Sequence, residues 1–135
     1  MSEAIVKTVL RFYPEVEAIY LFGSYGTEDE WPESDVDVAL LLPPAQAKSI
    51  RTLALSECRF ALDDVLKKEV DLVNLRLVST VFQFQIVTTG RLLFTGNENA
   101  VAGFEMLTLS HYQKLNEERR EILQEFYRTG RAYRV

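Results

Sequence analysis

The sequence has one cysteine, Cys58, and one histidine, His111, among 135 residues. A single cysteine excludes an internal disulfide and any cysteine-built zinc site. Set in an apolar helical stripe, Cys58 is expected to serve as a small buried hydrophobe. His111 stands far downstream of the motif described below and is expected at a surface or interface rather than as a general base. Excess positive charge is lacking too: 15 Lys and Arg face 20 Asp and Glu, for a net charge of -5 and a pI near 4.9. Affinity for DNA or RNA comes largely from Lys and Arg neutralising phosphates, so neither direct nucleic-acid binding nor a template-reading polymerase is expected. No apolar run approaches the roughly 18 residues of a membrane span, and no basic-then-apolar leader opens the chain. The expectation is a soluble, cytoplasmic protein. Internal repeats and low-complexity segments are absent.

What is present is a compact allotment of apolar residues, 47% of the chain. That is enough for one packed core, so residues 1–135 are expected to form a single domain. Within it, Gly23-Ser24 follows the apolar run Ile19-Tyr20-Leu21-Phe22, and ten residues later comes Asp35-Val36-Asp37. A glycine at the end of a strand lets the backbone turn sharply and approach a phosphate closely. Ser24 adds a hydroxyl and a backbone amide, and such N–H groups bind anions without a cationic side chain. If Val36 to Leu42 is a strand, Asp35 and Asp37 project from one face, because side chains alternate with a period of two. Two hard oxygen ligands on one face suit Mg²⁺, which is commonly held by one or two carboxylates together with substrate phosphates. Asp71, in the β-branched run Glu69 to Leu75, is the candidate third carboxylate. An alternative for Asp71 is a strand-edge acid that caps a loop or pairs with Lys67 or Lys68.

The remaining pattern frames this motif. Ile5, Val6, Val9 and Leu10 share a helical face, with Ser2 as a candidate cap and Pro14 beyond the end. The spacer 27–34 is acidic, interrupted by Pro32, and carries Trp31, which is expected to pack locally. After Pro43-Pro44, apolar residues from Ile50 to Leu66 recur at three- and four-residue steps and predict one amphipathic helix. A short helix is expected over Val81 to Thr89, closed by Gly90, then a last strand over Arg91 to Phe94. Phe104, Leu107, Leu115, Ile122, Leu123 and Phe126 predict a long terminal helix from about Asn99 to about Tyr127, with a bend conceivable at Ser110-His111-Tyr112. The fold class is therefore α/β (α+β): a small mixed sheet flanked by helices, with a long C-terminal helix. Residues 97–135 carry more apolar and aromatic side chains than a small sheet can cover, including Tyr112, Tyr127 and Tyr133. This segment is expected to contact a partner, and Arg128, Arg131 and Arg134 give its end a positive bias.

Gly-Ser, ten residues, Asp-x-Asp and a later strand aspartate together resemble the nucleotidyltransferases of the DNA polymerase β superfamily. Over nearly its whole length the chain resembles their minimal nucleotidyltransferase branch, and especially the MntA-type antitoxins of HEPN/MNT toxin–antitoxin modules. The resemblance implies a polymerase-β-like nucleotidyltransferase fold. It implies Gly23 and Ser24 as the triphosphate-binding turn, and Asp35, Asp37 and Asp71 as catalytic metal ligands for Mg²⁺, expected as two ions. ATP is the implied substrate and a HEPN-domain ribonuclease toxin the implied partner. The implied function is that of an antitoxin in a type VII-like module, a protein adenylyltransferase that moves AMP from ATP to a tyrosine of the toxin. Two other readings stand beside it: an antitoxin acting by binding alone through its C-terminal helix, and a small-molecule transferase resembling those that adenylylate aminoglycosides.

Overall fold

The computed structural model describes residues 2–23 and 35–129, with side chains described as far as Glu125. Ser24, Trp31 and the rest of the 24–34 spacer lie outside the described residues. So do Arg131, Tyr133 and Arg134, and the side chains of Tyr127 and Arg128.

Four short strands make the sheet: β1 (Ala18–Phe22), β2 (Val36–Leu41), β3 (Val70–Asn74) and β4 (Arg91–Thr95). Their order is β3-β2-β1-β4. β1 runs antiparallel to both β2 and β4, and β2 runs parallel to β3, so the sheet is mixed as expected. Each central strand is apolar on both sides because both faces are covered. Ile19, Leu21, Val36, Val38, Leu40, Val70 and Leu72 face one helical layer. That layer is α1 (Ser2–Phe12), which supplies Ile5 and Val9, and α3 (Glu57–Leu66), which supplies Cys58, Leu62 and Leu66. Ala18, Tyr20, Ala39 and Leu41 face the other layer, α4 (Thr80–Thr89) with Ile86 and α5 (Glu98–Thr129) with Val101 and Phe104. Each fully buried Leu or Ile contributes about 1.5–3 kcal/mol relative to exposure, so the two apolar faces fix the register of every strand.

One sequence expectation fails here. The stretch from Ile50 to Leu66 is two helices, α2 (Pro44–Ile50) and α3, separated by 51–56. α2 starts on Pro44, whose missing N–H costs nothing in the first turn, and stops where Arg51 adopts φ 64°. α3 restarts on Ser56, whose Oγ accepts from Arg59 N–H at 3.2 Å, a cap worth about 1 kcal/mol. Apolar spacing alone cannot see such a break, since Leu53 in the connection is also buried. Ser2, expected as a cap, is itself the first helical residue of α1.

α5 is the longest element, 32 residues, or about 48 Å at 1.5 Å per residue. The sheet strands span only about 17–20 Å. Accordingly α5 buries Val101, Phe104 and Thr108, stacks Tyr112 on Phe84 at 3.7 Å between ring centroids, and then runs on. From Gln113 to Gln124 only Leu115 is partly covered. The helix passes uninterrupted through Ser110-His111-Tyr112. Tyr20 OH donates to Glu105 Oε2 at 3.1 Å and ties the first half of α5 to the middle of the sheet. Among the described residues, no helix is long and apolar enough to cross a membrane.

Candidate active site

The antiparallel turn-over between β1 and β2 brings the end of one strand to the start of the other: Phe22 is the register partner of Asp37. Gly23 follows at once, with φ +79°, a conformation that favours glycine. A second reason for glycine is spatial, because a Cβ at Gly23 would run into Asp37 Oδ2. The turn and the carboxylate therefore press against one another, and only the absence of a side chain lets both stay. Phe22 is held from the other side by Phe82 of α4, edge-to-face at 5.5 Å and 78°.

Across the parallel ladder, Asp37 is paired in register with Asp71, on backbones about 4.8 Å apart. Asp37 and Asp71 thus belong to the α4/α5 side of the sheet, with Ala39 and Leu41, at the edge where β1 ends and β2 and β3 begin. Asp35 directly precedes β2 at the same edge. Asp37 is half-buried, whereas Asp35 and Asp71 are exposed. Burial pushes the Asp37 carboxyl up from an ordinary 3.8 to about 6, and the negative charges of Asp71 and Asp35 push in the same direction. Such coupling between like charges is the mark of carboxylates sharing one site.

Among the described residues, no three His, Cys, Asp or Glu side chains are already gathered at metal-holding range. The ladder holds the backbones of Asp37 and Asp71 side by side, and the exposed side chains of Asp35 and Asp71 are free to take another staggered rotamer. The donor set, three carboxylates at one edge of the sheet with Asp37 half-buried, is of the hard-oxygen kind that suits a cation such as Mg²⁺.

Sequence reasoning named Asp35, Asp37, Asp71 and Gly23, and the structure brings these four to one edge. Ser24 lies outside the described residues. Lys67 Nζ lies 3.9 Å from Asp64 rather than pairing with Asp71. Among basic residues, Arg76 is bound to Glu17 and to Leu42 O at the opposite end of the sheet, and Lys48 is on α2, beyond the far end of β2. Arg91, opposite Leu21, stands at the site's end. Arg59 was not singled out, yet with Asp35, Ala54, Glu69, Val70 and Asp71 it lines a cavity of about 280 Å³ that opens beside the carboxylates. The available signal was an Arg and an Asp four residues apart on a predicted helix, just before the strand of Asp71. His111 lies instead at the rim of a separate cavity formed by α4 and α5.

Comparison with known proteins gives a consistent picture. Residues 4–99 match the family described as polymerase beta, nucleotidyltransferase. The chain is 37% identical over 119 residues to protein adenylyltransferase MntA of Shewanella oneidensis, covering 88% of this chain and 82% of that one. Among solved structures, a toxin–antitoxin with AMP-PNP is similar at TM-score 0.71 and 33% identity, over 93% of this chain and 98% of that one. A second, the tri-AMPylated Shewanella oneidensis HEPN toxin in complex with its MNT antitoxin, is similar at TM-score 0.66 and 33% identity, over 93% and 95% of the two chains.

Proposed function

The chain belongs to the polymerase beta nucleotidyltransferase family, and from that premise we propose that it is the antitoxin of a HEPN/MNT module, a protein adenylyltransferase that moves AMP from ATP to a tyrosine of its cognate HEPN ribonuclease toxin. The observation that carries this reading is the register of Asp37 with Asp71 across β2 and β3, with Asp35 near enough to raise the Asp37 pKa and Gly23 packed against Asp37.

In this reading Asp35, Asp37 and Asp71 hold Mg²⁺, as two ions, which when bound neutralise phosphate charge and lower the cost of ionising the attacking hydroxyl. Gly23, with Ser24 after it, receives the triphosphate on backbone N–H groups. Asp71, exposed on β3, would complete the carboxylate set. The phenolic oxygen bonds to the α-phosphorus, the bond to pyrophosphate breaks, and the phenolic proton leaves to solvent. The chain's own contribution is in-line placement of the two reactants, worth several kcal/mol of barrier. A bulky anionic nucleotide on the toxin then repels the anionic RNA backbone that a ribonuclease must bind.

Residues 1–135 act as one nucleotidyltransferase domain in which 97–135 form the segment that contacts the toxin. Met106, Leu107, Leu109, Ile122 and Leu123 are all exposed on α5 and supply apolar contact area. The buried free thiol of Cys58 suits the reducing cytoplasm, where ATP and the toxin's RNA targets are found.

The test is toxin neutralisation in cells by the Asp35→Asn, Asp37→Asn double variant. Loss of neutralisation with a retained complex supports catalysis. Full neutralisation by the variant would overturn it in favour of an antitoxin that acts by binding alone.

A further inference from the structure

Among the described residues β3 is the outer strand beside β2, so one of its edges meets no other described strand. Such an edge leaves alternate backbone groups without ladder partners. At the start of β3 the alternation is visible: Val36 N–H donates to Glu69 O at 2.9 Å, which turns the N–H and C=O of Val70 outward. Both are met by side chains of α3. Val70 N–H donates to Asp63 Oδ1 at 2.6 Å, and Arg59 Nε donates to Val70 O at 3.0 Å.

Arg59 and Asp63 are one helical turn apart and pair with each other, Nε to Oδ2, at 3.4 Å. One acceptor and one donor are thus offered side by side, as a neighbouring strand would offer them, for a single residue. Arg59 is itself anchored: Nη1 donates to Ala54 O at 3.1 Å, and Nη2 lies 3.5 Å from Glu69 Oε1. With 19% and 28% of their side chains exposed, the two are not a loose surface pair. The residue they grip directly precedes Asp71.

We propose that Arg59 and Asp63 are positioning residues: by clamping both backbone groups of Val70 they hold Asp71 in register with Asp37 and so set the spacing of the carboxylates. This rests on the adenylyltransferase reading, in which those carboxylates hold the metal. Asp71 is exposed and at the strand's beginning, where fraying would otherwise be easiest. Partners behind metal-holding groups are commonly worth 10–100-fold in affinity.

The test uses the full-length chain, with Mn²⁺ binding followed by electron paramagnetic resonance and Val70 amide exchange by NMR. Asp63→Ala removes the acceptor, Asp63→Asn keeps one, and Val16→Ala truncates the core at the far end of the sheet as a control for lost stability. Expected are faster Val70 exchange and about 10–100-fold weaker Mn²⁺ binding for Asp63→Ala, recovery of most of both in Asp63→Asn, and wild-type affinity in Val16→Ala. Wild-type Mn²⁺ affinity in Asp63→Ala would overturn the proposal while leaving the adenylyltransferase reading intact, and an equal loss in Val16→Ala would overturn it as a general effect of stability. Absence of Mn²⁺ binding by the wild-type chain would overturn both readings together.

Discussion

Asp37→Asn should abolish nucleotidyl transfer and yet make the metal-free protein more stable. The Asp37 carboxyl is half-buried, in register with Asp71 and two residues from Asp35, and its pKa is raised from 3.8 to about 6. A two-unit shift corresponds to about 3 kcal/mol at 1.36 kcal/mol per unit. Solvent screening of a half-exposed group reduces that to about 1–2 kcal/mol. The folded state binds this proton more tightly than the unfolded chain does, so its stabilising effect is fully present below pH 4 and is lost as pH rises through 6. Asparagine is a neutral isostere that keeps the protonated-like state at every pH. Denaturant unfolding with EDTA should therefore show no difference between variant and wild type near pH 4. A gap opens between pH 4 and 6, and the variant ends about 1–2 kcal/mol more stable at pH 8, roughly 4–8 °C in Tm for a chain of this size. Adding Mg²⁺ should close that gap by stabilising the wild type alone. A variant less stable than wild type at pH 8, or a difference flat in pH, would refute the argument.

Gly23→Ala places a methyl group against Asp37 Oδ2 and forces alanine to φ +79°; the left-handed backbone alone costs about 1–2 kcal/mol. Displacement of the carboxylate should cut AMP transfer by about 100-fold, read in a timed transfer assay. Tyr20→Phe removes the donor to Glu105 Oε2 and should lower unfolding free energy by about 1 kcal/mol, with transfer retained and α5 protected less against hydrogen exchange. The Cys58 thiol is buried and pushed up to about 11, so an aromatic disulfide reagent at pH 8 should leave the native protein unlabelled and react at once in denaturant.

How far the sequence foretells this protein depends on the range of each interaction. Gly23, Asp35 and Asp37 were legible because a strand-ending glycine and an Asp-x-Asp pair at the start of an apolar strand are local signals. Asp71 required a guess that the next strand lay beside β2; the parallel pairing with β2 places it opposite Asp37. The half-burial of Asp37, and with it the rise of its pKa, depends on the packing of Gly23 and on the neighbouring strand, which no local pattern encodes. The break between α2 and α3 was hidden because a left-handed Arg51 without glycine gives no signal, and Ser56 reads as a cap only once a start is suspected. The clamp of Arg59 and Asp63 on Val70 was beyond reach for the same reason as the register, since it joins a helix face to a strand edge. The length of α5 was plain from its repeating apolar positions, and the small sheet implied that much of it would stay uncovered.

The most direct measurement is the intact mass of a purified HEPN partner after incubation with this protein, Mg²⁺ and ATP, beside the Asp35→Asn, Asp37→Asn variant. The account predicts a gain of one AMP or a multiple with the wild type, located on a tyrosine, and no gain with the variant. An unchanged toxin mass despite a stable complex would contradict it.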